Sequence, residues 1–455
     1  MNPSGPPACD ARERSSRRRA LGGVLLVALA ARVLSLSLFW DARFVFDEKY
    51  YVSVASSIAA GQGHRTFGSA EPTALRPPLF PGLLGAELWI ASHFAGELPK
   101  GVLRALQIPP SLLTVAFLFQ LCARRFGTRA AAATGLAAAL APPLVQYSHL
   151  LWAESLAAML LAGLLLCLDR FDERRRARDL AAAGLALGLL ALTKQAWLYF
   201  GLAIAAWVAW RLDFAWRRAS RPLAAGLAAL VLTLAPWTLR NAIAFGDFVL
   251  VSSMAWWPIA IGNLENPTAE EKRALLRQAA RLPASEHEAF YRGVALESIR
   301  RQLPGWLPRK LLSTVGGLYQ IRSEALRFVD EGWIATTPAR VRALVAYQLF
   351  GHYLLLAPGI AALWLVRGGP LQVLVALAVL YLNGLHTLAN AITRYAVALL
   401  PLYLLYLGPL ASGATRAQPP RAWQWAGAAL SVAAFVLIPL RRSWSFLGEL
   451  LARLG

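Results

Sequence analysis

Two adjacent carboxylates, Asp47 and Glu48, stand just beyond the first hydrophobic stretch of the chain, in Trp40-Asp41-Ala42-Arg43-Phe44-Val45-Phe46-Asp47-Glu48-Lys49-Tyr50-Tyr51. Paired acids followed by aromatic hydroxyls suit two kinds of chemistry: moving a proton as a general acid or base, or holding a cation. Set immediately outside a bilayer, they lie where a lipid-linked substrate presents its headgroup. The bland alternative is that they end the span and pair with Arg43 or Lys49.

The elements that must position these acids are membrane helices. Of 455 residues, 57% are hydrophobic and 16% charged, with a mean hydropathy of +0.47. That balance excludes an ordinary soluble domain and implies an all-α polytopic membrane protein. The net charge of +21 would suggest a nucleic-acid partner in a soluble chain. Here the arginines cluster in short loops between apolar spans, which is the positive-inside pattern, and no nucleic acid is expected. Three cysteines, Cys9, Cys122 and Cys167, show neither a disulfide framework nor metal-ligand spacing. The cluster Arg17-Arg18-Arg19 before an apolar run resembles a signal peptide, but the run continues to Trp40 and reads as an uncleaved anchor. Arg32 within it is costly in lipid and should face other helices.

Loop charges set the orientation. The first span, 20 to 40, follows five arginines between Arg12 and Arg19, so its amino end is cytoplasmic and Asp47 lies outside. If Pro77 to Phe94 lies along the outer surface as an interfacial helix, the basic loops at Arg124 to Arg129, Arg170 to Arg178, Arg211 to Arg221, Arg367 and Arg416 to Arg421 all fall inside. Further spans then run at 102–122, 129–147, 152–169, 180–195, 197–212, 222–239, 344–366, 370–388, 395–411 and 423–440, about eleven in all. The pair Arg441-Arg442 falls outside, which an interfacial carboxyl-terminal helix or a twelfth short span would repair. The organisation is a cytoplasmic tail (1–19), an amino-terminal membrane module (20–240) with an outer loop at 41–101, an outer cap segment (241–340) containing a polar helical run from Thr268 to Arg301, and a carboxyl-terminal membrane module (341–455).

Several runs in the outer segments resemble one family. Asp47-Glu48-Lys49-Tyr50-Tyr51, Ala59-Ala60-Gly61-Gln62-Gly63 and Arg76-Pro77-Pro78-Leu79-Phe80-Pro81 are similar to the first outer loop of integral-membrane glycosyltransferases with the GT-C fold. The likeness is to the branch containing protein O-mannosyltransferases, lipid A aminoarabinose transferases and rhizobial core-galacturonosyl transferases. Glu154 in Leu150-Leu151-Trp152-Ala153-Glu154, Pro236-Trp237-Thr238-Leu239-Arg240-Asn241, Gly262-Asn263, His386 and Arg394-Tyr395 follow in order. The resemblance implies a GT-C-like fold with outer juxtamembrane helices and a small periplasmic cap. It also implies transfer of a sugar from a polyprenyl-phosphate donor to a lipid, glycan or protein acceptor of the envelope.

Such a donor carries its own leaving group, so transfer needs a base for the incoming hydroxyl, cations for the departing phosphate and a cavity at the lipid interface. By resemblance Asp47, with Glu48 beside it, takes the catalytic role, and direct displacement would invert the anomeric carbon. A divalent metal bridging Asp47 or Glu48 to phosphate is allowed but not required, since no second acid stands at Asp-x-Asp spacing. Arg240, Arg394, Lys194 and Arg76 are the phosphate-binding candidates; each also suits a helix-end anchor. Tyr50, Tyr51, Glu154 and Tyr395 are the substrate-binding candidates. Against them stand belt aromatics for the tyrosines and, for Glu154, a helix cap or an ion pair with Lys194. Trp256 and Trp257 suit a sugar platform or an interface belt, and His386 a bond between helices.

The alanine- and arginine-rich usage is compatible with a bacterium of GC-rich genome; the resemblance then implies an undecaprenyl-phosphate carrier and an inner-membrane protein, among membrane lipids, with its active site on the outer face. The competing function is a transporter or flippase of a lipid-linked sugar, which would concentrate polar groups at mid-membrane. A non-catalytic scaffold leaves the ordered motifs unexplained.

Overall fold

The computed structural model describes residues 8–454, except 95, 97, 266, 284, 322, 335 and 414–419. The expected tail's first residues and Arg416 lie outside them. No strand occurs among the described residues. The amino-terminal module comprises α1 (Ala8–Phe39), α2 (Asp47–Ala59), α3 (Leu79–Phe94), α4 (Lys100–Ala105), α5 (Ile108–Leu140), α6 (Pro142–Gln146), α7 (Glu154–Arg174), α8 (Ala177–Ala191), α9 (Phe200–Arg211) and α10 (Trp216–Phe245). The arginine cluster expected in a separate tail is part of α1.

Among the described residues, six stretches are long and apolar enough to cross a membrane: Arg12–Phe39, Lys100–Leu140, Trp216–Phe245, Pro338–Leu365, Pro370–Leu388 and Ala422–Ala452. The second is folded back on itself. Gly127 has φ 82° and ψ 175° inside α5, and Thr134 Oγ1 lies 3.4 Å from Cys122 Sγ. In a straight helix those residues would be about 18 Å apart along the axis. α5 is therefore two antiparallel helices, as the expected spans 102–122 and 129–147 require. Arg32 sits in the groove between them, fully buried, with Nε on Ser111 Oγ at 2.9 Å and Nη1 on Ala139 O at 3.0 Å.

α7 runs from Glu154 to a charged turn at the other end of the bundle. There Asp169 accepts from Arg124 Nε (2.6 Å) and Arg125 Nε (2.5 Å), while Asp172 accepts from Arg211 Nε (2.5 Å). Fifteen residues of helix separate Glu154 from Asp169, about 22 Å, so two ionic layers bracket most of a hydrocarbon core. α8 packs against α10 through small residues: a Cβ on Gly184 would lie 2.0 Å from Gly226 O.

Several expected spans are shorter than a bilayer because the chain breaks them. α8 stops at Ala191, and the 3₁₀ turn Gln195–Tyr199 intervenes before α9. In the carboxyl-terminal half, the helix Pro370–Leu388 is followed by the 3₁₀ turn Thr393–Ala398. Lys194 immediately precedes the first turn and Arg394 lies in the second. Irregular backbone is tolerated at such a depth where it lines a cavity.

The cap consists of α11 (Trp257–Asn263), α12 (Ala269–Ala279), α13 (His287–Arg301), α14 (Trp306–Leu318) and α15 (Glu324–Asp330). The polar run from Thr268 is two helices. Thr268 and Glu271 close a reciprocal cap at the start of α12. Asn263 ties the cap to the bundle, donating to Leu388 O at 2.7 Å and accepting from Trp306 Nε1 at 2.7 Å. Lys310 Nζ bridges Gly262 O and Ala389 O.

The remaining helices are α16 (Pro338–Phe350), α17 (Ala357–Leu365), α18 (Pro370–Leu388), α19 (Leu400–Ala411), α20 (Ala422–Val432) and α21 (Ile438–Leu454). A π-helical segment, Gly351–Leu356, joins α16 to α17. α21 continues the last span and packs Leu447 and Leu450 on Leu326, Val341 and Val345, so Arg441 belongs to a helix docked against the cap segment and α16.

Candidate active site

The site starts at the turn into α2. Phe46 has φ 46°, rare for a bulky residue. Its ring is held by Trp333 (5.0 Å between centroids) and by the Arg327 guanidinium at 4.0 Å. The turn makes Asp47 and Glu48 the first residues of α2, where the helix dipole favours negative charge. Successive residues of a helix point about 100° apart, and the two acids diverge accordingly.

Glu48 points inward and does not line the cavity. Arg104 grips it with Nη1 on Oε1 at 2.6 Å and Nη2 on Oε2 at 3.1 Å. The N–H groups of Val45 and Leu151 donate at 3.1 and 3.0 Å. Both side chains are 0% exposed. All of the carboxylate's oxygens are engaged, so it welds α2 to α4 and to the turn before α7. Arg104, which no motif marks, is the residue the sequence analysis missed.

Asp47 faces a cavity of about 310 Å³ lined by Arg76, Glu154, Lys194, Trp256, His386, Arg394 and Tyr395, among others. Its side chain is 20% exposed, with Arg76 Nη2 on Oδ1 at 3.1 Å and Arg394 Nη1 on Oδ2 at 2.7 Å. Burial alone would raise its pKa; the two guanidinium groups, with Lys194 behind them, outweigh burial and hold the carboxyl well below the usual range. Glu154, the first residue of α7, accepts from Lys194 Nζ at 2.7 Å. Arg394 Nε stands 3.9 Å from the same oxygen and makes no hydrogen bond. Three cations thus face two carboxylates, leaving a positive balance and one buried donor unused.

Tyr395 is sandwiched: His386 stacks on its ring at 4.6 Å and 10°, and the Arg394 guanidinium lies 5.3 Å from its centre. His386 Nδ1 lies 3.3 Å from Asn390 O, four residues on, so the expected bond between helices is not what holds this ring. Tyr51 lines the cavity, and burial pushes its hydroxyl well above the ordinary value. Tyr50 does not; its hydroxyl meets Thr73 Oγ1 at 3.3 Å. Trp256 lines the cavity, whereas Trp257 packs on Tyr291.

Arg240 also lies outside the cavity. Its Nη1 donates to Thr73 O (3.2 Å) and Nη2 to His64 O (2.9 Å), with Trp237 beneath the guanidinium at 4.8 Å. Ser253 N and Ser252 Oγ hold Ala74 O and Leu75 O of the same loop. Burial depresses His64 to about 4, leaving it neutral beside this arginine. Arg240 is therefore a strut for the loop that delivers Arg76, and it does not line the cavity.

The residues present do not fit a metal ion. Among the described residues no three His, Cys, Asp or Glu side chains cluster at ligand spacing. Glu48 is turned away, and Asp47 is already flanked by two guanidinium groups that repel a cation.

Residues 81–239 match the sequence profile of the family Dolichyl-phosphate-mannose-protein mannosyltransferase. No curated protein matches the chain. Among solved structures, the Archaeoglobus fulgidus oligosaccharyltransferase in its apo form superposes with a TM-score of 0.51 at 16% identity, covering 96% of this chain and 56% of that one. ArnT from Cupriavidus metallidurans, bound to undecaprenyl phosphate, gives 0.42 at 18%, covering 87% and 78%. The Saccharomyces cerevisiae Pmt1-Pmt2 complex bound to its sugar donor gives 0.39 at 19%, covering 56% and 37%. The chain spans little more than half of the archaeal enzyme's length. It has the GT-C fold, in a multi-pass membrane protein. The family whose profile matches residues 81–239 is one of mannosyltransferases.

Proposed function

We propose that the protein transfers a sugar from a polyprenyl-phosphate donor to a hydroxyl of an envelope lipid, glycan or protein, at the outer face of a bacterial inner membrane. The observation that carries this reading is the meeting of Asp47 with Arg76, Arg394 and Lys194 around one cavity. The matched family's description, which names a dolichyl-phosphate sugar, supports the donor class. The outer face is supported by the arginine-rich layer at the opposite end of the bundle.

In this reading the donor phosphate enters among Arg76, Arg394 and Lys194, with charge-assisted bonds to the guanidinium groups. These are the groups that hold Asp47, so the carboxylate occupies an anion's place until the donor arrives. Phosphate then shares the arginines, and Asp47 becomes a stronger base just as it is needed. The acceptor hydroxyl gives its proton to Asp47 and its oxygen bonds the anomeric carbon. The bond from that carbon to the phosphate oxygen breaks, the bonding pair leaves with polyprenyl phosphate, and the configuration inverts. Glu154 holds Lys194 in place, and Tyr51, Tyr395 and Trp256 supply walls for the sugar.

The test is transfer of labelled sugar from defined polyprenyl-phosphate donors by reconstituted protein, with water and monosaccharides as fallback acceptors. Transfer or release by the wild type and none by Asp47→Asn is the expected result. Full activity in Asp47→Asn sinks the base assignment. Donor binding without turnover under every acceptor condition would favour a carrier of lipid-linked sugar.

A further inference from the structure

The turn that delivers Asp47 carries an unexpected residue for its shape. Glu48 N donates to Val45 O at 2.9 Å, closing a four-residue turn whose second residue, Phe46, has φ 46° and ψ −125°. These angles are close to the ~60° and ~−120° of the first central position of a type II′ turn, where glycine is the usual occupant because a Cβ is strained there. Phe46 has that Cβ, so contacts of its side chain must hold a backbone shape that the residue itself disfavours.

The contacts come from the end of the cap, some 280 residues further along the chain. There α15 closes on Gly332 (φ 65°), with Gly332 N on Val329 O at 3.0 Å and Trp333 N on Phe328 O at 2.8 Å. This pair of bonds is a Schellman motif, and it folds Trp333 back against Phe328, with ring centroids 5.3 Å apart. The reversal sets Trp333 edge-on to Phe46 at 5.0 Å. Arg327 places its guanidinium 4.0 Å from the Phe46 ring centre, and Glu324 stands 3.8 Å from that guanidinium. The base beneath is firm: Ala325, Leu326 and Phe328 are buried, and Phe328 packs on Phe39 at the end of α1. Phe46 is 44% exposed, so the aromatic edge and the cation, not burial, fix its ring.

We infer that Arg327 and Trp333 are positioning residues for Asp47, acting through Phe46. The buried Glu48–Arg104 pair fixes α2 on one side of Asp47, and the clamp on Phe46 fixes the turn on the other. If Phe46 relaxed to negative φ, the first turn of α2 would reorient and Asp47 would swing away from Arg76 and Arg394. Neither Arg327 nor Trp333 lines the donor cavity, so both act on Asp47 without touching substrate. Their effect on rate rests on the proposed glycosyl transfer; the clamp itself does not.

Two substitutions at one position separate backbone from packing. Phe46→Ala and Phe46→Gly remove the same ring, but only glycine takes a positive φ without strain. With the full chain in nanodiscs and a polyprenyl-phosphate sugar as donor, Phe46→Gly should show a kcat roughly three- to tenfold above that of Phe46→Ala. KM for the donor should not rise in Phe46→Ala, because a displaced Asp47 leaves the arginines to phosphate. Arg327→Gln should lower kcat roughly threefold in the wild type, the loss of one cation–aromatic contact, and by nothing further in Phe46→Gly. A Phe46→Ala variant as active as Phe46→Gly, or an Arg327→Gln loss that persists in Phe46→Gly, would overturn the inference. Melting midpoints make the same comparison without donor: glycine above alanine is expected, and the reverse order would overturn the clamp. A wild type that transfers no sugar would defeat the proposed function, and the order of the melting midpoints would still decide the clamp.

Discussion

Asp47 and Glu48 are neighbours in the chain, both acidic, both paired with arginine, and the fold puts them to opposite uses. Glu48 meets one bidentate arginine and two backbone N–H groups in a space without solvent. Asp47 is shared between two arginines from distant parts of the chain, in a cavity, next to a guanidinium nitrogen that bonds nothing. A charge whose every valence is met inside the protein holds structure together. A charge held by groups that a ligand can also use is available for chemistry.

The largest effect that would break this comparison is on rate. Asp47→Asn should lower transfer by about 10² to 10⁴, the usual worth of a positioned base, with a smaller loss of thermal stability than Glu48→Gln. The same variant removes the resident anion from the cationic site, so it should bind undecaprenyl phosphate several-fold more tightly; weaker binding would deny that carboxylate and phosphate compete. Glu48→Gln should do the reverse. Removing one partner of a fully buried pair costs about 3–5 kcal/mol, so the expected outcome is a protein with a much lowered melting midpoint. Thermal unfolding in nanodiscs separates the cases, and a stable but inactive Glu48→Gln would assign Glu48 to chemistry after all.

A smaller effect is expected in the pH dependence. Arg76 and Arg394 depress the folded-state pKa of Asp47. Its contribution to stability is therefore complete above the unfolded value of about 3.9 and is lost as pH falls toward the folded one. In the free enzyme Asp47 stays ionised throughout the neutral range, so the acid limb of kcat/KM lies far below pH 7. Once phosphate shares the arginines the depression weakens, and the acid limb of kcat, which reports the bound state, should sit at higher pH. Superposable acid limbs would mean that donor and Asp47 do not share cations.

The membrane class and the reversal between 102–122 and 129–147 were legible in the sequence because each has a local signal, apolar length for the first and the charged loop Arg124 to Arg129 for the second. The ranking within the site was not. Which of two adjacent acids faces a cavity depends on the helical phase set at Phe46, and on Arg104, which is distant in sequence and carried by an unremarkable Lys100–Ala105 helix. Arg240 and Arg394 both read as cations at outer helix ends. Only the tertiary path of the 64–76 loop decides that the first props a backbone while the second, on a 3₁₀ turn, enters the cavity.

Those two arginines give the finest form of the comparison, because they are the same residue type on the same side of the bundle. Arg394→Lys keeps a charge but loses the planar fork that spans Asp47 and reaches toward Glu154, so it should raise KM for the donor and lower kcat together. Arg240→Lys loses the fork that joins His64 O to Thr73 O, a hydrogen-bond deficit of about 1 kcal/mol in a partly exposed strut. Its effect should be a few degrees of melting midpoint and a small rise in KM through a looser Arg76, with kcat unchanged. A large fall in kcat for Arg240→Lys, with stability intact, would instead bring Arg240 to the substrate and redraw the cavity around it.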